Sequence, residues 1–290
     1  MQPTKEWLEN WEKVKDKLQP NSNLEEYFNS NEIAGKELDV MDIGPCSIPT
    51  GEFLVADPLV YLVDRDEKTY FKRIPTGEFR TEVCVMKADD TDCDRYAAVR
   101  LKFNDNEISY FEEALAGYEN LENVEEGDFF GFYVDAGLGC ICDKKLHDLY
   151  CDFNEKWLKE NPDGNLYDNY FADLFQKSYE NNPKYQRDGG DWINWTIPGT
   201  DYHLPIFQTG IGDGIYPVYL AYDKDNNVCQ LIIEFIDIEL AYSETDEEDE
   251  DEEDYEEEAI VLYAEPNNSF HLVEEVEAIE EIMLNHSMSG

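Results

Sequence analysis

The spacing of hydrophobic positions changes along the chain, and each change marks an element. In 6–18, EWLENWEKVKDKL, Trp7, Trp11, Val14 and Leu18 share one stripe at helical spacing with charged residues between them, which predicts an amphipathic helix docked on the main body. Asn23 caps a second short helix over NLEEYF. From 38 to 103 the chain turns to short β-branched and aromatic runs, EFLVA, LVYLV, RTEVCVM and YAAVRLKF, each bounded by turn residues. Antiparallel strands are the expected reading. The hexapeptide Ile-Pro-Thr-Gly-Glu-Phe stands at both 48–53 and 74–79 and reads as one turn-and-strand entry used twice rather than as a pseudo-repeat of hairpins.

Further on, ISYFEEALAGY predicts a short helix, and FFGFYVDAGLGCICD an apolar strand ending in Asp135, Gly137 and Gly139, where small residues allow close backbone approach. Two amphipathic helices follow over 143–160 and 166–179, split by Asn161-Pro162-Asp163-Gly164. After Pro183 the β pattern returns in WINWTI, HLPIF, YPVYLAY and VCQLIIEFIDIEL, the last two joined by a 223–227 hairpin turn. Beyond 240 comes a run, 244–258, with 13 acids and no base, then a strand, AIVLY, and a helix over 270–284 with Leu272, Val276, Ile279 and Met283 on one face. The fold class expected is α+β, with mixed, mainly antiparallel sheets, flanking helices and an acidic C-terminal extension. Its parts are helices over 1–37, a main α+β domain over 38–240, an acidic loop of disordered composition over 241–258, and a terminal strand and helix over 259–290.

With 290 residues, 42% of them hydrophobic and 13% aromatic, the chain buries a large core. It has no run of 18 apolar residues, and MQPTKEWLENWEK is charged where a secretory signal is apolar, so a cytoplasmic location without membrane association is expected. Seven cysteines at irregular spacings then read as reduced, mostly buried thiols. Charge changes the picture most: 68 acids against 22 bases give a formal −46, and without the 13 acids of 244–258 the remainder still carries −33. A field of that sign repels nucleic acid and anionic membranes and suits either a highly soluble surface or a docking face for a basic protein.

The block 185–223 is dense in glycine, aspartate, tryptophan and proline and contains no Ser/His or Cys/His arrangement. Asp57, Asp135, Asp191, Asp201 and Asp213 sit at strand ends or turns, from which separate segments are able to bring oxygen ligands to a divalent cation. An aspartate in a glycine-rich turn more often caps its own backbone. Trp192 offers an aromatic face to a ligand, but Trp192 and Trp195 lie three apart in a strand and so point to opposite faces, which makes burial the commoner role. His203, two residues from Asp201, is an acid/base candidate, although the alternation along 202–207 sends it to the surface or to a satisfied core position, the commoner fate of an isolated histidine. Cys140, Cys142, His147 and Cys151 form the one thiol and imidazole cluster, a soft set that zinc accepts, although the spacing matches no paired CxxC knuckle.

Several motifs occur in one order: the Ile-Pro-Thr-Gly turn, Ala56-Asp57-Pro58-Leu59, Val134-Asp135-Ala136-Gly137 with Gly139, 168–175, Gly189-Gly190-Asp191-Trp192 with Trp195, and Gly212-Asp213-Gly214 before Tyr216-Pro217. In these the chain resembles domain-of-unknown-function family 4241 over about 38–237. The resemblance implies uncharacterised bacterial relatives and brings no activity, and the acidic insertion and terminal helix depart from the family pattern. Two functional expectations follow. One is an acidic cytosolic interaction protein, of the inhibitor or immunity kind, that binds a basic partner; no cofactor is needed. The other is a divalent-metal hydrolase built on Asp135, Asp191 and Asp213, and geometry separates the two.

Overall fold

The computed structural model describes residues 2–88 and 94–243. The acidic run 244–258, the AIVLY strand, the terminal helix and Cys93 lie outside the described residues. Two sheets face each other. The larger has the order β1 (Glu32–Ile33), β2 (Lys36–Ile48), β4 (Gly77–Met86), β5 (Arg95–Lys102), β13 (Val228–Glu234), β12 (Val218–Tyr222) and β6 (Tyr110–Glu113). The smaller has the order β3 (Phe53–Ala56), β8 (Leu138–Asp143), β10 (His203–Gln208) and β9 (Trp192–Thr196). A short ladder pairs β11 (Gly214–Tyr216) with β7 (Phe132–Val134). Every pairing described is antiparallel, and both large sheets take strands from before and after the mid-chain helices.

Period-two alternation assigns the strand faces. Leu231 and Ile233 of β13, Val99 and Leu101 of β5, Ile141 of β8 and Trp192 of β9 meet between the sheets. The opposite face of the smaller sheet gives Cys140, Cys142, Ile193 and Trp195 to a second core, covered by Leu146 and Tyr150 of α2 (Lys144–Glu160) and Phe175 of α3 (Ala172–Asn181). The outer face of the larger sheet is covered by Leu24, Tyr27, Phe28 and Ile238, the last from the one-turn α4 (Ile238–Tyr242). Trp7 and Trp11 of α1 (Lys5–Val14) pack with Leu18, Leu115 and Val124, so the N-terminal stripe docks in cis as expected. No helix among the described residues is long and apolar enough to cross a membrane.

Three segments differ from the sequence expectation, each for a local reason. LVYLV is a turn and not a strand: Asp57 accepts from Leu59 N (2.8 Å) with its side chain and from Tyr61 N and Leu62 N with its carbonyl, so the carboxylate and Pro58 start a helical turn. ISYFEEALAGY contains strand β6, whose pairing with β12 from Tyr219↔Glu113 to Tyr222↔Tyr110 overrides a helical pattern in Phe111 and Leu115. VCQLIIEFIDIEL stops as strand at Glu234, because Asp237 caps α4 through Leu240 N. The two Ile-Pro-Thr-Gly-Glu-Phe copies are neighbours, with Ile48 opposite Gly77 in the β2–β4 ladder and Ile74 N bonded to Gly51 O (3.1 Å).

Strand β2 reaches both sheets because it bulges between Asp42 and Pro45. At Gly44, φ is +96°, and a Cβ there would lie 2.7 Å from Asn194 Nδ2. That amide donates to both Ile43 O (3.0 Å) and Pro45 O (2.8 Å), tying β9 to the bulge. Gly44→Ala is expected to cost about 2 kcal/mol, from left-handed strain and the displaced Asn194. The measurement is a urea midpoint that falls with an unchanged slope.

Buried carboxyl groups set the pH profile. Burial pushes Glu113 and Glu234 up to about 8. The native state therefore binds protons that the unfolded chain releases near its ordinary value of about 4.5, and stability falls as pH rises from there to about 8. Asp39, held down to about 2 by hydrogen bonds from Tyr185 and Lys184, acts in the opposite sense, as does Asp223, pulled to about 2 by the Asn227 amide. Their contribution is present above about pH 4 and is lost as pH falls toward 2. Urea midpoints measured from pH 3 to pH 9 are expected to peak at about pH 4.5 to 5 and to decline toward pH 9. A midpoint that climbs steadily to pH 8 would contradict neutral buried glutamates.

Candidate functional site: a braced turn under an acidic aromatic face

Three of the five sequence-selected aspartates gather at the turn that links β7 to β8. Asp57, fully buried, accepts from Asp135 N (3.1 Å) and Ala136 N (2.7 Å) through Oδ2 and from Leu59 N (2.8 Å) through Oδ1. The next amide, Gly137 N, donates to Asp213 Oδ1 (2.9 Å). Three consecutive backbone N–H groups thus end on two carboxylates of the same chain, an anion nest filled from within. Gly137, at φ +63°, supplies the left-handed residue the turn needs, and its carbonyl accepts from Thr209 N (3.1 Å). Burial raises the Asp57 pKa, and the amides donating to it pull the other way. Asp135 turns outward and accepts from the Tyr61 hydroxyl (2.6 Å), a bond that pushes that phenol up to about 12.

The remaining candidates lie elsewhere. Asp191 Oδ1 accepts from both Nε (2.9 Å) and Nη2 (2.8 Å) of Arg187, and its Oδ2 accepts from Arg187 N (2.6 Å), which closes the glycine-rich loop before β9. Trp192 is core, with its Nε1 left without a hydrogen-bond partner, and Trp195 is buried on the opposite face of β9. Asp201 is exposed on the β9–β10 connection. His203 turns its ring to Asn194 Oδ1 (2.9 Å) rather than to Asp201, while its backbone N–H donates to Ser47.

Among the described residues there is no group of three or more His, Cys, Asp or Glu side chains that could hold a metal. Asp57 and Asp213 are spent on backbone amides and Asp191 on an arginine, so the trio Asp135, Asp191 and Asp213 does not assemble a cation site. The soft cluster also separates: Cys140 donates to Ala56 O, Cys142 to Asp143 O and Cys151 to Leu62 O, while His147 Nε2 faces Asp64 O. The six described cysteines are free and buried. Burial, followed by the Lys144 charge, lowers the His147 pKa, and burial raises the thiols of Cys140 and Cys142.

What the turn supports is a surface. Tyr133, the outward residue of β7, is 52% exposed and packs against Tyr61 with ring centroids 6.2 Å apart. Tyr118, 67% exposed, lies near Tyr133 and the carboxylates of Glu67 and Glu119. Val60 and Ile211 are exposed on the loops that carry Tyr61 and Asp213. Neither Asp135 nor Asp213 belongs to an ion pair among the described residues.

The charge pattern around this surface is one-sided. No lysine or arginine occurs from Phe103 to Asp143, where there are 11 acids, and none between Arg187 and Lys224. The β7–β11 ladder, the β6–β12 ladder and the Gly137–Asp213 bond bring these two base-free stretches together. The gap in basic residues was visible in the sequence and is the signal that would have found this face. The exposure of Tyr118 and Tyr133 was not visible, because an aromatic in an alternating run reads as core.

The family described as "Protein of unknown function (DUF4241)" matches residues 46–233. The match begins inside β2 and ends inside β13, so it takes in the smaller sheet, α2, α3 and the braced turn, and leaves out α1 and β1. No curated protein and no solved structure matches the chain. Since that match spans well over half of the sequence and nearly all of the two facing sheets, the chain belongs to the DUF4241 family.

Proposed function

We propose that the protein works by binding: it is an acidic cytoplasmic interaction protein, of the inhibitor or immunity kind, and its base-free face receives a positively charged partner such as a toxin or nuclease. The observation that carries this reading is the pair of exposed tyrosines, Tyr118 and Tyr133, together with Asp135 and Asp213, which belong to no ion pair among the described residues, all on two stretches of chain that contain no lysine or arginine. Tyrosines give large contact area at low entropic cost and attract cations to their ring faces. The carboxylates add long-range steering toward a basic surface and repel nucleic acid and anionic membranes. The charge that supports the reading is not confined to 244–258: the described residues carry all 22 bases and 46 of the 68 acids. Against a hydrolase reading, Asp191 is held by Arg187, Asp213 by the Gly137 amide and Asp135 by the Tyr61 hydroxyl, and the three do not form a cluster among the described residues.

An arginine-rich peptide, titrated calorimetrically into the full chain, tests the assignment. Binding is expected to weaken steeply between 50 and 300 mM salt. Combining Tyr133→Ala with Asp213→Asn is expected to cost at least about tenfold in affinity, or about 1.4 kcal/mol. The helix-surface pair Glu160→Gln and Glu180→Gln removes two charges where the first variant removes one, and is still expected to leave affinity nearly unchanged. Equal losses in the two double variants would reduce the face to a share of general acidity. From native lysate, a chain lacking 244–258 is expected to capture the same basic proteins as the full chain.

A further inference from the structure

Strand β6 carries two adjacent glutamates to opposite faces of the sheet edge. Glu112 meets the Lys72 ammonium at 3.0 Å and the Tyr222 hydroxyl at 3.4 Å. Glu113, 1% exposed, accepts from Phe130 N (2.7 Å) and Gly131 N (2.9 Å) through Oε1, while its Oε2 is buried without any hydrogen-bond partner. A buried carboxyl with one orphan oxygen is tolerable as the neutral acid and costly as the anion. The groups that face it are acids or phenols: Tyr219 from β12, Tyr70 from the segment before Phe71, and Glu119 and Asp128 from the 114–131 loop. Lys72, the ammonium paired on this strand, is engaged by Glu112 on the other face.

The loop so held has two attachments. Toward the N-terminus of the chain, Trp7 Nε1 donates to Glu119 O (3.0 Å), and Trp7 and Trp11 pack on Leu115, Val124, Leu121 and Phe130. In the other direction Gly131 runs straight into β7, which presents Tyr133. Glu119 also accepts from Ala116, Gly117 and Tyr118 N–H, so the loop moves with its own carboxylate.

We propose that Glu113 is a proton-dependent latch: as the neutral acid it clamps the 114–131 loop to β6, and its ionisation at alkaline pH releases that loop together with α1. Ionisation creates a buried anion with an unpartnered oxygen next to Glu119 and Asp128, and the loop moves outward to admit water. Burial places the transition near pH 8. The inference does not depend on any binding partner.

Limited trypsin digestion of the full chain tests it directly. Lys13, Lys15 and Lys17 lie in or just after α1, whereas 103–143 contains no trypsin site. Cleavage at these lysines is expected to accelerate at least about fivefold between pH 7 and pH 9, relative to cleavage of an unstructured reference peptide in the same tube. Glu113→Gln is expected to abolish the acceleration, and Glu234→Gln, which neutralises the other strongly shifted buried glutamate beside Tyr27, to preserve it. Because Glu113→Gln places an amide where an acid stood, Asp128→Asn supplies a second arm. It leaves Glu113 in place and removes one negative charge that disfavours its ionisation, so the release midpoint is expected to move to lower pH. Acceleration that persists in Glu113→Gln, vanishes in Glu234→Gln, or keeps an unmoved midpoint in Asp128→Asn overturns the latch.

Discussion

The structure depends on one repeated interaction, a carboxylate that accepts backbone N–H groups at a turn. Asp143, fully buried, accepts from Thr50 N, Gly51 N and Lys145 N, so one side chain holds the first Ile-Pro-Thr-Gly turn and caps α2. Asp57 and Asp213 brace 135–137, Glu119 gathers the amides of 116–118, and Asp223 closes the β12–β13 hairpin through Asp225 N and Asn227 N. Loop amides have no ladder partners and must be satisfied locally. A carboxylate does this with charge-assisted bonds stronger than neutral ones. The acidic composition is therefore partly architectural.

That division of labour sorts the negative charge into two populations. Carboxylates tied to amides, to Arg187 or to Arg100, whose guanidinium meets Glu82 at 2.6 Å, are absorbed by the fold. Asp135 and Asp213, at the surface, belong to no ion pair among the described residues and leave their charge to the solvent side. Asp213 belongs to both populations, since one oxygen holds Gly137 N and the residue is exposed. The rigidity of the turn and the availability of the face thus come from the same few residues.

Periodicity carried much of the architecture. The Trp7/Trp11 stripe, the two mid-chain helices, the opposite faces of Trp192 and Trp195 and the 223–227 hairpin turn follow from local spacing, which survives folding unchanged. Misreadings arose where tertiary partners decided the outcome. LVYLV has the composition of a strand, yet the Asp57 cap makes it a turn, and the β6 segment has helical spacing but is held extended by β12. The candidate aspartates were legible as turn residues, and their grouping was not, because Asp57, Asp135 and Asp213 are more than 70 residues apart along the chain at each step. Glu113 gave no signal at all: a Glu-Glu pair in an edge strand looks solvent-exposed until the 114–131 loop is seen to cover one of the two.

The central claim is that the amides of 135–137 are held by Asp57 and Asp213 of the same chain without the help of an ion. Amide hydrogen exchange at Asp135, Ala136 and Gly137, measured after exhaustive chelation and again with millimolar Ca²⁺ or Mg²⁺, addresses it most directly. The account expects strong protection in the chelated protein and no change on adding either cation. Fast exchange after chelation, with protection restored by a divalent cation, would contradict it.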